Sequence, residues 1–436
     1  MGGIIHYTYR YIINTMSHDR SALSQKYQRK TLREQILLRP DTYIGACTNQ
    51  SHRIWTPSGP QDLIYPPGLY KIIDEILVNA LDNKRRDDSM RRIDISYTDG
   101  RITITNDGAT VPIIKHEQHD MYIPTLVFGH LLTSDNYDDN EERVTGGRNG
   151  YGAKLTNIYS IDFTVECIDA KARKKFVQTW TNNMLDTSGP VVRACSNKKD
   201  RTIVSFTPDW VRFGLEGAPR VLETLLRRRA LDIAGTSPST LSVYFNGAKI
   251  PVKHFGAYAK QFLPDAVHIS LGDRWEVCIA AKTDDTPPVP TFVNGICTYR
   301  GGSHVKHVTG PLFQHLAEVA TKRVRGLKIK PSHVENFANV FVNCLVVNPA
   351  FDSQTKETLT SKVKDFGSRA RWTPELLKKC ARQTNILTAL EEWALRRNGH
   401  ALTKAVGSAR TKLVIPKLHD ASKAGGVHSD KCSLIL

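Results

Sequence analysis

The sequence predicts an α/β protein of two or three domains. Three observations support this prediction: a length of 436 residues, a composition with 40% hydrophobic and 24% charged residues, and helical patterns that alternate with strand patterns. This composition is typical of a globular chain that buries substantial cores rather than of a disordered one. No apolar run approaches the ~18 residues that a membrane span needs, so we expect no membrane partner.

Positive charge is concentrated in the later part of the chain. The formal net charge is +17, of which residues 1–150 contribute −1, residues 151–250 contribute +6 and residues 251–436 contribute +12. A polyanion such as nucleic acid would therefore contact the later segments, and a solvated basic surface is the alternative. The eight cysteines form no C-x-x-C pair, so neither a zinc site nor a disulfide framework is predicted, and a reducing compartment is the default.

The first clear element is a helix over residues 70–86. Its apolar residues recur at helical spacing and predict a buried face: Ile73, Ile76, Leu77 and Ala80. A polar stripe lies beside that face: Glu75, Asn79, Asp82 and Asn83. Asparagine is a poor residue for a helix interior, and a solvated outer face would be better served by Lys, Gln and Glu. The stripe is therefore predicted to be functional.

A β-hairpin follows this helix. Residues 93–97 and 102–104 alternate between apolar and polar side chains, and Asp99-Gly100 supplies a two-residue turn. The return strand leads directly into Asn106-Asp107-Gly108. A polar turn at a strand end is a common position for ligand-binding groups.

Residues 145–154 form a glycine-rich segment suited to phosphate. Gly146, Gly147, Gly150 and Gly152 leave the backbone free to approach a ligand, and the segment also carries Arg148 and Lys154. The spacing is neither that of a Walker loop nor that of a dinucleotide fingerprint. The segment by itself indicates only a generic phosphate-binding loop.

The elements after residue 200 are predicted from weaker patterns. Residues 202–206, 241–245 and 341–347 are predicted strands, and residues 374–379 and 385–397 are predicted helices. A basic run, KRVRGLKIK, occupies residues 322–330, and a polar loop with Gln354 and Lys356 follows the last predicted strand. The shift in composition near residue 250 indicates a domain boundary.

Five motifs occur together in an order that resembles the ATPase region of eukaryotic-type DNA topoisomerase II: EILVNALDN (75–83), NDG (106–108), LLTSDNYDD (131–139), TGGRNGYGAKL (145–155) and FDSQTKE (351–357). The resemblance covers residues 27–436. It implies a Bergerat-type α/β sandwich, shared with gyrase and histidine kinases, followed by a transducer domain with a small α/β unit. It also implies ATP and Mg²⁺ as cofactors.

The resemblance assigns catalytic roles to three side chains. Glu75 resembles the general base that polarises the attacking water, and a carboxylate within hydrogen-bond reach can accept that proton. Gln354 and Lys356 resemble a loop that reaches from the transducer into the nucleotide site, where the lysine neutralises charge on the γ-phosphate. Asn79 resembles the Mg²⁺ ligand, a neutral oxygen suited to a hard cation.

Further nucleotide contacts follow from the same resemblance. Asp135 stands where the family has a serine and adds negative charge near phosphate, whereas Ser205 stands for a threonine near the adenine. Tyr27 resembles the residue that reaches the partner's nucleotide, so ATP is expected to close a homodimer. The other implied contacts are Asn83, Asn106, Ser134, Asn136, Gly147, Arg148, Asn149, Gly150, Tyr151, Gly152, Ala153, Lys154 and Thr355.

The resemblance also implies a double-stranded DNA partner. The corresponding basic loop carries Lys322, Arg323, Arg325, Lys328 and Lys330. Such a contact would be independent of sequence and sensitive to salt, and a solvated loop is the alternative. The nucleus is the expected location, with an organelle or a viral factory as alternatives.

The expected domains are a tail (1–26), a Bergerat-type ATPase domain (27–250), a transducer (251–415) and a linker (416–436) that leads into the start of a metal-binding cleavage domain. The tail could instead be a targeting presequence. Because CSLIL (432–436) resembles only the first strand of that cleavage domain, we expect this polypeptide to hydrolyse ATP and clamp without cutting DNA.

The expected function is an ATP-operated gate that dimerises on ATP and captures a DNA duplex for strand passage. Two alternatives from other classes remain open at this stage. One is a mismatch-repair-like or chaperone-like ATP clamp, and the other is a non-catalytic DNA-binding module.

Overall fold

The computed structural model describes residues 23–133, 141–147, 150–282, 286–324, 327–408 and 427. Helices in this part of the chain pack around two large sheets. The helices are α1 Leu32–Leu38, α2 Pro40–Tyr43, α3 Pro67–Arg86, α4 Ile123–Gly129, α5 Gly152–Ile158, α6 Val221–Thr236, α7 Phe255–Ala259, α8 Ser303–Arg323, α9 Pro331–Glu335, α10 Pro374–Gln383 and α11 Ile386–Ser408. None of these described helices is both long and apolar enough to cross a bilayer.

A separate hairpin of two strands, β1 (Gln50–Thr56) and β2 (Gly59–Tyr65), precedes α3. The larger sheet comprises nine strands: β3 Arg92–Thr98, β4 Arg101–Asp107, β5 Ser160–Asp169, β6 Lys174–Thr181, β7 Asp186–Thr187, β8 Val191–Ala194, β9 Arg201–Pro208, β10 Ser242–Phe245 and β11 Ala248–Lys249. Their order is β11-β10-β3-β4-β9-β5-β6-β7, and β8 also pairs with β6. Neighbouring strands are antiparallel except β10 and β3, which are parallel.

Helix α3 confirms the helix predicted over residues 70–86 and begins three residues earlier. Pro67 stands at its first turn, where the fixed φ of proline suits a helix and the missing N–H costs nothing. The two acids of the polar stripe on α3 are buried, because Glu75 is 3% exposed and Asp82 is 4% exposed. The alternative of a solvated outer face is therefore wrong for these two acids.

The predicted hairpin is formed by β3 and β4. Thr98 pairs with Arg101, and Asp99 and Gly100 both have positive φ, as a tight two-residue turn requires. Burial alternates along β4, so that Ile102, Ile104 and Asn106 point to the helix-covered face while the residues between them point outward. This alternation decides which side chains can reach the site described below.

The smaller sheet has five strands: β12 Val267–Ser270, β13 Trp275–Ala281, β14 Thr291–Val293, β15 Ile296–Cys297 and β16 Ala338–Cys344. Their order is β12-β13-β16-β14-β15, and α8, α10 and α11 pack on this half of the chain. The strand predicted over residues 341–347 is β16, which lies three residues earlier. The chain leaves the ladder after Cys344 because the N–H of Val346 donates to the side chain of Asn294 instead.

A buried arginine joins the larger-sheet and smaller-sheet parts of the chain. The Arg229 side chain is fully buried, and its Nε donates to Asp74 Oδ1 of α3 at 2.6 Å, while its Nη2 donates to the Gly295 carbonyl at 2.9 Å. One hydrophobic core continues from the larger sheet through Phe262 to Phe341 of the smaller one. The division near residue 250 stays a prediction, although β11 ends at Lys249.

Candidate active site

The centre of the site is a buried carboxylate held between two ammonium groups. Glu75 Oε1 lies 2.5 Å from Lys71 Nζ, one helical turn earlier on α3, and 3.3 Å from Lys356 Nζ, which belongs to a distant loop. Lys71 and Lys356 are each 6% exposed. Charges so poorly hydrated remain in the fold only when they are paired, so the three groups form one electrostatic unit.

The charge state of this unit follows from its geometry. Burial by itself raises the pKa of the Glu75 carboxyl, but the charges of Lys356 and Lys71 outweigh burial and lower the pKa to about 2. Burial also lowers the pKa of Lys71, and the nearby Glu75 carboxylate opposes that shift. Glu75 is therefore ionised at neutral pH and able to accept a proton.

Gly152 lies directly over the Glu75 carboxylate. A Cβ atom added at Gly152 would collide with Glu75 Oε2. Any other residue would displace either the carboxylate or the start of α5, which begins at Gly152. The glycine is needed here for close approach of the backbone.

The glycine-rich segment is anchored to α3 at its first two glycines. The backbone N–H groups of Gly146 and Gly147 donate to the two oxygens of Asp82, each at 2.8 Å. A Cβ at Gly146 would lie 2.8 Å from Ile296 and 2.9 Å from Val78, so the segment is pressed between α3 and the smaller sheet. These contacts fix where the loop begins.

Lys154 closes the other end of this segment. Its side chain is 3% exposed and its Nζ donates to the carbonyls of Thr133 and Gly150, each at 2.7 Å. The lysine thus connects Thr133, which precedes the glycine-rich segment, with Gly150 inside it, on either side of the predicted phosphate site. Of the predicted contacts, Gly147, Gly150 and Tyr151 lie in the described part of the loop, and Gly152 and Ala153 lie in the first turn of α5.

The remaining polar residues of α3 differ in exposure. Asn79, one turn after Glu75, is exposed, whereas Asn83 is half-buried and lies 3.9 Å from Met90 Sδ through its Nδ2 atom. Asn79 therefore has a free amide face on the same helix as the buried carboxylate. This position is consistent with a ligand contact.

Asn106 and Thr202 occupy the helix-covered face of the larger sheet. They are cross-strand neighbours on β4 and β9, and Asn106 is 6% exposed. The hydroxyl of Thr202 lies 2.9 Å from that of Thr110, within hydrogen-bonding distance. Asn106 and Thr202 therefore present an amide and a hydroxyl side by side.

Ser205, for which a nucleotide contact is predicted, lies on the opposite face of the larger sheet from Asn106. Ser205 pairs with Thr103, and the two hydroxyls lie 2.9 Å apart on the outward face of the sheet, opposite to Asn106. Residues one position apart on a strand point to opposite faces, so Thr202 and Ser205, three positions apart on β9, present their hydroxyls on opposite faces. Thr202 is the hydroxyl that shares a face with Asn106.

The loop that carries Lys356 is shaped by its own backbone. Lys356 has a φ of 62°, an unusual value for a residue with a side chain, and its N–H donates to the Ser353 carbonyl at 3.1 Å. Thr355 lies against Gly45, and Gln354 is half-buried. Such a conformation persists only where the surroundings hold it, and here it directs the ammonium group to Glu75.

A second tie joins the glycine-rich segment to the smaller sheet. Asn294 is fully buried, and its Nδ2 donates to the carbonyls of Thr145 at 3.0 Å and Val346 at 2.9 Å. Movement of the smaller-sheet part of the chain, which carries Lys356, would therefore displace Thr145 at the start of the glycine-rich segment. Asn294, Lys71, Asp82 and Thr202 are functional candidates that sequence reasoning did not assign.

Two of these four residues, Lys71 and Asp82, had a signal in the sequence. Lys71 stands four residues before Glu75, the spacing at which side chains on a helix meet. Asp82 was part of the predicted stripe but received no role. Asn294 had no signal, since its partners become neighbours only through the fold.

The remaining predicted residues are dispersed. The Tyr27 side chain is 74% exposed, and its contact with a partner protomer stays a prediction. In the basic run, Lys322, Lys328 and Lys330 are exposed, and Arg323 pairs with Glu391 at 2.9 Å. The predicted residues that lie outside the described part of the chain are Ser134, Asp135, Asn136, Arg148, Asn149, Arg325 and the segment 432–436.

Comparison with known proteins identifies the family. Residues 243–406 match a family model described as DNA gyrase B. The crystal structure of the ATPase and transducer domains of DNA topoisomerase II from Balamuthia mandrillaris superposes with a TM-score of 0.82 at 38% identity, covering 86% of this chain and 99% of that one. The chain belongs to the DNA topoisomerase II family.

Other members of the topoisomerase II family are similar to this chain to the same degree. The ATPase region of the Saccharomyces cerevisiae enzyme gives a TM-score of 0.80 at 41% identity over 85% of this chain and 99% of that one. A probable DNA topoisomerase 2 of Dictyostelium discoideum is 42% identical over 431 residues, which is 95% of this chain and 28% of that protein. The chain thus spans less than a third of this relative, and the predicted Bergerat-type sandwich followed by a transducer is confirmed.

Proposed function

We propose that this chain hydrolyses ATP with Glu75 as general base and acts as the ATP-operated gate of a type II DNA topoisomerase. The observation that carries the proposal is the buried contact of Glu75 with both Lys71 and Lys356. A base that is buried, ionised and adjacent to a lysine from the smaller-sheet part of the chain is suited to phosphoryl transfer, in which positioning and charge supply most of the catalysis.

In this proposal each residue has a distinct task. Glu75 accepts the proton of the attacking water, and Lys71 keeps the carboxylate ionised and in place. Lys356 turns from Glu75 to the γ-phosphate, where its charge opposes the negative charge that develops during transfer, and Gln354 supports the same loop. Because Lys71 also contacts Glu75, the carboxylate keeps a charged partner when Lys356 moves to the γ-phosphate.

The residues present fit a magnesium ion. Asn79 offers a neutral amide oxygen on the exposed side of α3, one turn from Glu75. Among the described residues no group of three His, Cys, Asp or Glu could hold a metal, which fits an ion bound mainly by phosphates and water. When bound, such an ion neutralises phosphate charge.

The nucleotide would extend from Glu75 towards the larger sheet. Asn106 and Thr202 suit the base and Asn83 the adjoining sugar, because amides and a hydroxyl on one face can read hydrogen-bonding edges. The glycine-rich segment would wrap the phosphates with its backbone N–H groups, together with Arg148 and the residues 134–136. Asp82 and Lys154 hold the described ends of that segment.

The gate function rests on the link between the two halves. A loop from the smaller-sheet half that senses the γ-phosphate loses its anchor on hydrolysis, as switch segments do in other nucleotide-dependent proteins. We further propose that ATP closes a homodimer through Tyr27, that the run from Lys322 to Lys330 contacts duplex DNA, and that the protein acts in the nucleus. Strand passage by a longer protein that contains this region is part of the same proposal.

The proposal is tested with Glu75→Ala in the full chain. We expect Mg²⁺-dependent ATP hydrolysis to fall to background while a fluorescent ATP analogue still binds, because the carboxylate acts on water and not on nucleotide affinity. Glu75→Gln is the matched variant that keeps the size of the side chain. Hydrolysis at the wild-type rate by either variant would refute the assignment of the base.

A further inference from the structure

Apart from Lys154, the cations of residues 151–250 are not used by the nucleotide site or by the basic run. Most of them lie at one end of the larger sheet, where β5 and β8 end and β6 and β9 begin. We name this the sheet-end surface and define it as the turn 170–173, the loop 195–200 and the adjoining strand ends. Its exposed cations are Lys171, Arg173, Lys174, Arg193, Lys198, Lys199 and Arg201.

The two segments of the sheet-end surface are tied together by their backbones. The N–H of Cys195 donates to the Arg173 carbonyl at 2.9 Å, and the N–H of Ala170 donates to Asp200 Oδ1 at 2.7 Å. The strand register places Lys174 beside Asp169 on one side and Ala194 on the other. The seven cations therefore belong to one continuous and well-anchored surface.

These cations lack compensating acids. No ion pair joins any of the seven to a carboxylate within the described part of the chain, whereas the nearby Lys175 does pair with Glu166 at 2.7 Å. The two acids at this end already accept backbone N–H groups, Asp169 from Ala172 and Asp200 from Ala170. Clustered exposed charges of one sign repel one another and attract polyanions.

We propose that the sheet-end surface binds the phosphate backbone of duplex DNA. This is a second contact, separate from the basic run after α8, and it rests on the proposed DNA-capturing function. Four adjacent strands, β8, β6, β5 and β9, span about 14 Å at the usual ~4.8 Å spacing. A duplex presents about eight phosphates over that length of its axis, several of them on one side.

The composition of this surface argues against other polyanions. Residues 169–175 and 193–201 contain no aromatic residue, so there is no platform on which unpaired bases could stack. They also contain no large apolar residue to anchor an acidic polypeptide, because the apolar members are alanines and one half-buried cysteine. Charge without stacking or anchoring suits a contact with phosphates that does not depend on sequence.

The test compares two triple variants of the full chain. One removes three cations of the surface, Lys171→Gln, Arg173→Gln and Lys174→Gln. The matched control removes three exposed lysines outside this surface, Lys249→Gln, Lys253→Gln and Lys260→Gln, and so changes the net charge equally. Binding of a fluorescent 30-base-pair duplex is measured by anisotropy between 50 and 200 mM KCl, without nucleotide.

We expect the surface variant to bind duplex at least tenfold more weakly than wild type at low salt. The slope of log affinity against log salt is expected to fall by about 2 to 3 if three phosphate contacts are lost. The control is expected to stay within about twofold of wild type. Basal ATP hydrolysis without DNA is expected to be equal in all three proteins, because none of the substituted residues lies in the active site.

Equal duplex binding by the surface variant and the control would overturn the inference, as would a wild-type chain that does not bind duplex at 50 mM KCl. A surface variant that loses binding of polyglutamate but keeps binding of duplex would assign the surface to acidic polypeptides and also overturn it. Intact basal hydrolysis alongside any of these results would leave the proposed ATPase function standing, so the two failures are distinguishable.

Discussion

Replacement of Lys71 by methionine tests the electrostatic unit around Glu75. The variant keeps an unbranched side chain of similar length but removes the ammonium group that lies 2.5 Å from the carboxylate. In the nucleotide complex Lys356 is proposed to face the γ-phosphate, so Lys71 would be the cation that remains beside Glu75. Its loss should then leave a buried carboxylate with no charge partner.

The expected size of the effect follows from the pKa of Glu75. That pKa is lowered from its usual 4.5 to about 2, which corresponds to about 3 kcal/mol in favour of the ionised form. Because the shift is downward, this contribution to stability is complete above pH 4.5 and disappears as the pH falls towards 2. Without Lys71, burial dominates, and we expect the pKa of Glu75 in the complex to rise above its usual value.

The assay is the turnover number for ATP hydrolysis between pH 5 and pH 9 at saturating nucleotide and Mg²⁺. The wild-type profile is expected to show no acid limb from Glu75 in this range. The Lys71→Met variant should show an acid limb, so that its rate at pH 5 lies clearly below its plateau. Lys71→Arg restores the charge and should move the limb back to lower pH.

Superimposable pH profiles of the wild-type and Lys71→Met proteins would refute the reasoning. They would mean that another group keeps Glu75 ionised once nucleotide is bound. Thermal unfolding at pH 7.5 serves as the control for folding. A folded Lys71→Met variant whose pH profile shows no acid limb is the decisive negative result.

Two further predictions concern the walls of the site. Gly152→Ala should reduce ATP hydrolysis at least tenfold, because the added Cβ collides with the Glu75 carboxylate and such overpacking costs about 1–3 kcal/mol. The control is Gly310→Ala, which has open space around the added Cβ and should leave the rate unchanged. Thr202→Val should weaken nucleotide binding about two- to tenfold by removing one hydrogen bond, and the outward Ser205→Ala should change it less than twofold. Steady-state kinetics and analogue titration measure these effects, and the reverse order for Thr202 and Ser205 would contradict the assignment of faces.

Local patterns predicted the elements that local chemistry determines. The apolar spacing of α3 and the Asp99-Gly100 turn of the β3–β4 hairpin depend on residues close in the chain, so both were predictable. The end of β16 was not, because Val346 leaves the ladder to bond with Asn294, 52 residues earlier. The face on which Ser205 lies was also not predictable, since the face of a strand residue is certain only when the register with its neighbours is known.

By itself the sequence determined the family, and it predicted the nucleotide-binding motifs and Glu75 as the base, because each motif consists of residue types at short spacing. Only the tertiary structure decided that Lys71 and Lys356 share this carboxylate, since Glu75 and Lys356 are 281 residues apart. The tertiary structure also decided where the excess charge lies, by bringing two basic segments to one end of the larger sheet. Coulombic energy depends on distance and burial in space, and the order of residues along the chain specifies neither.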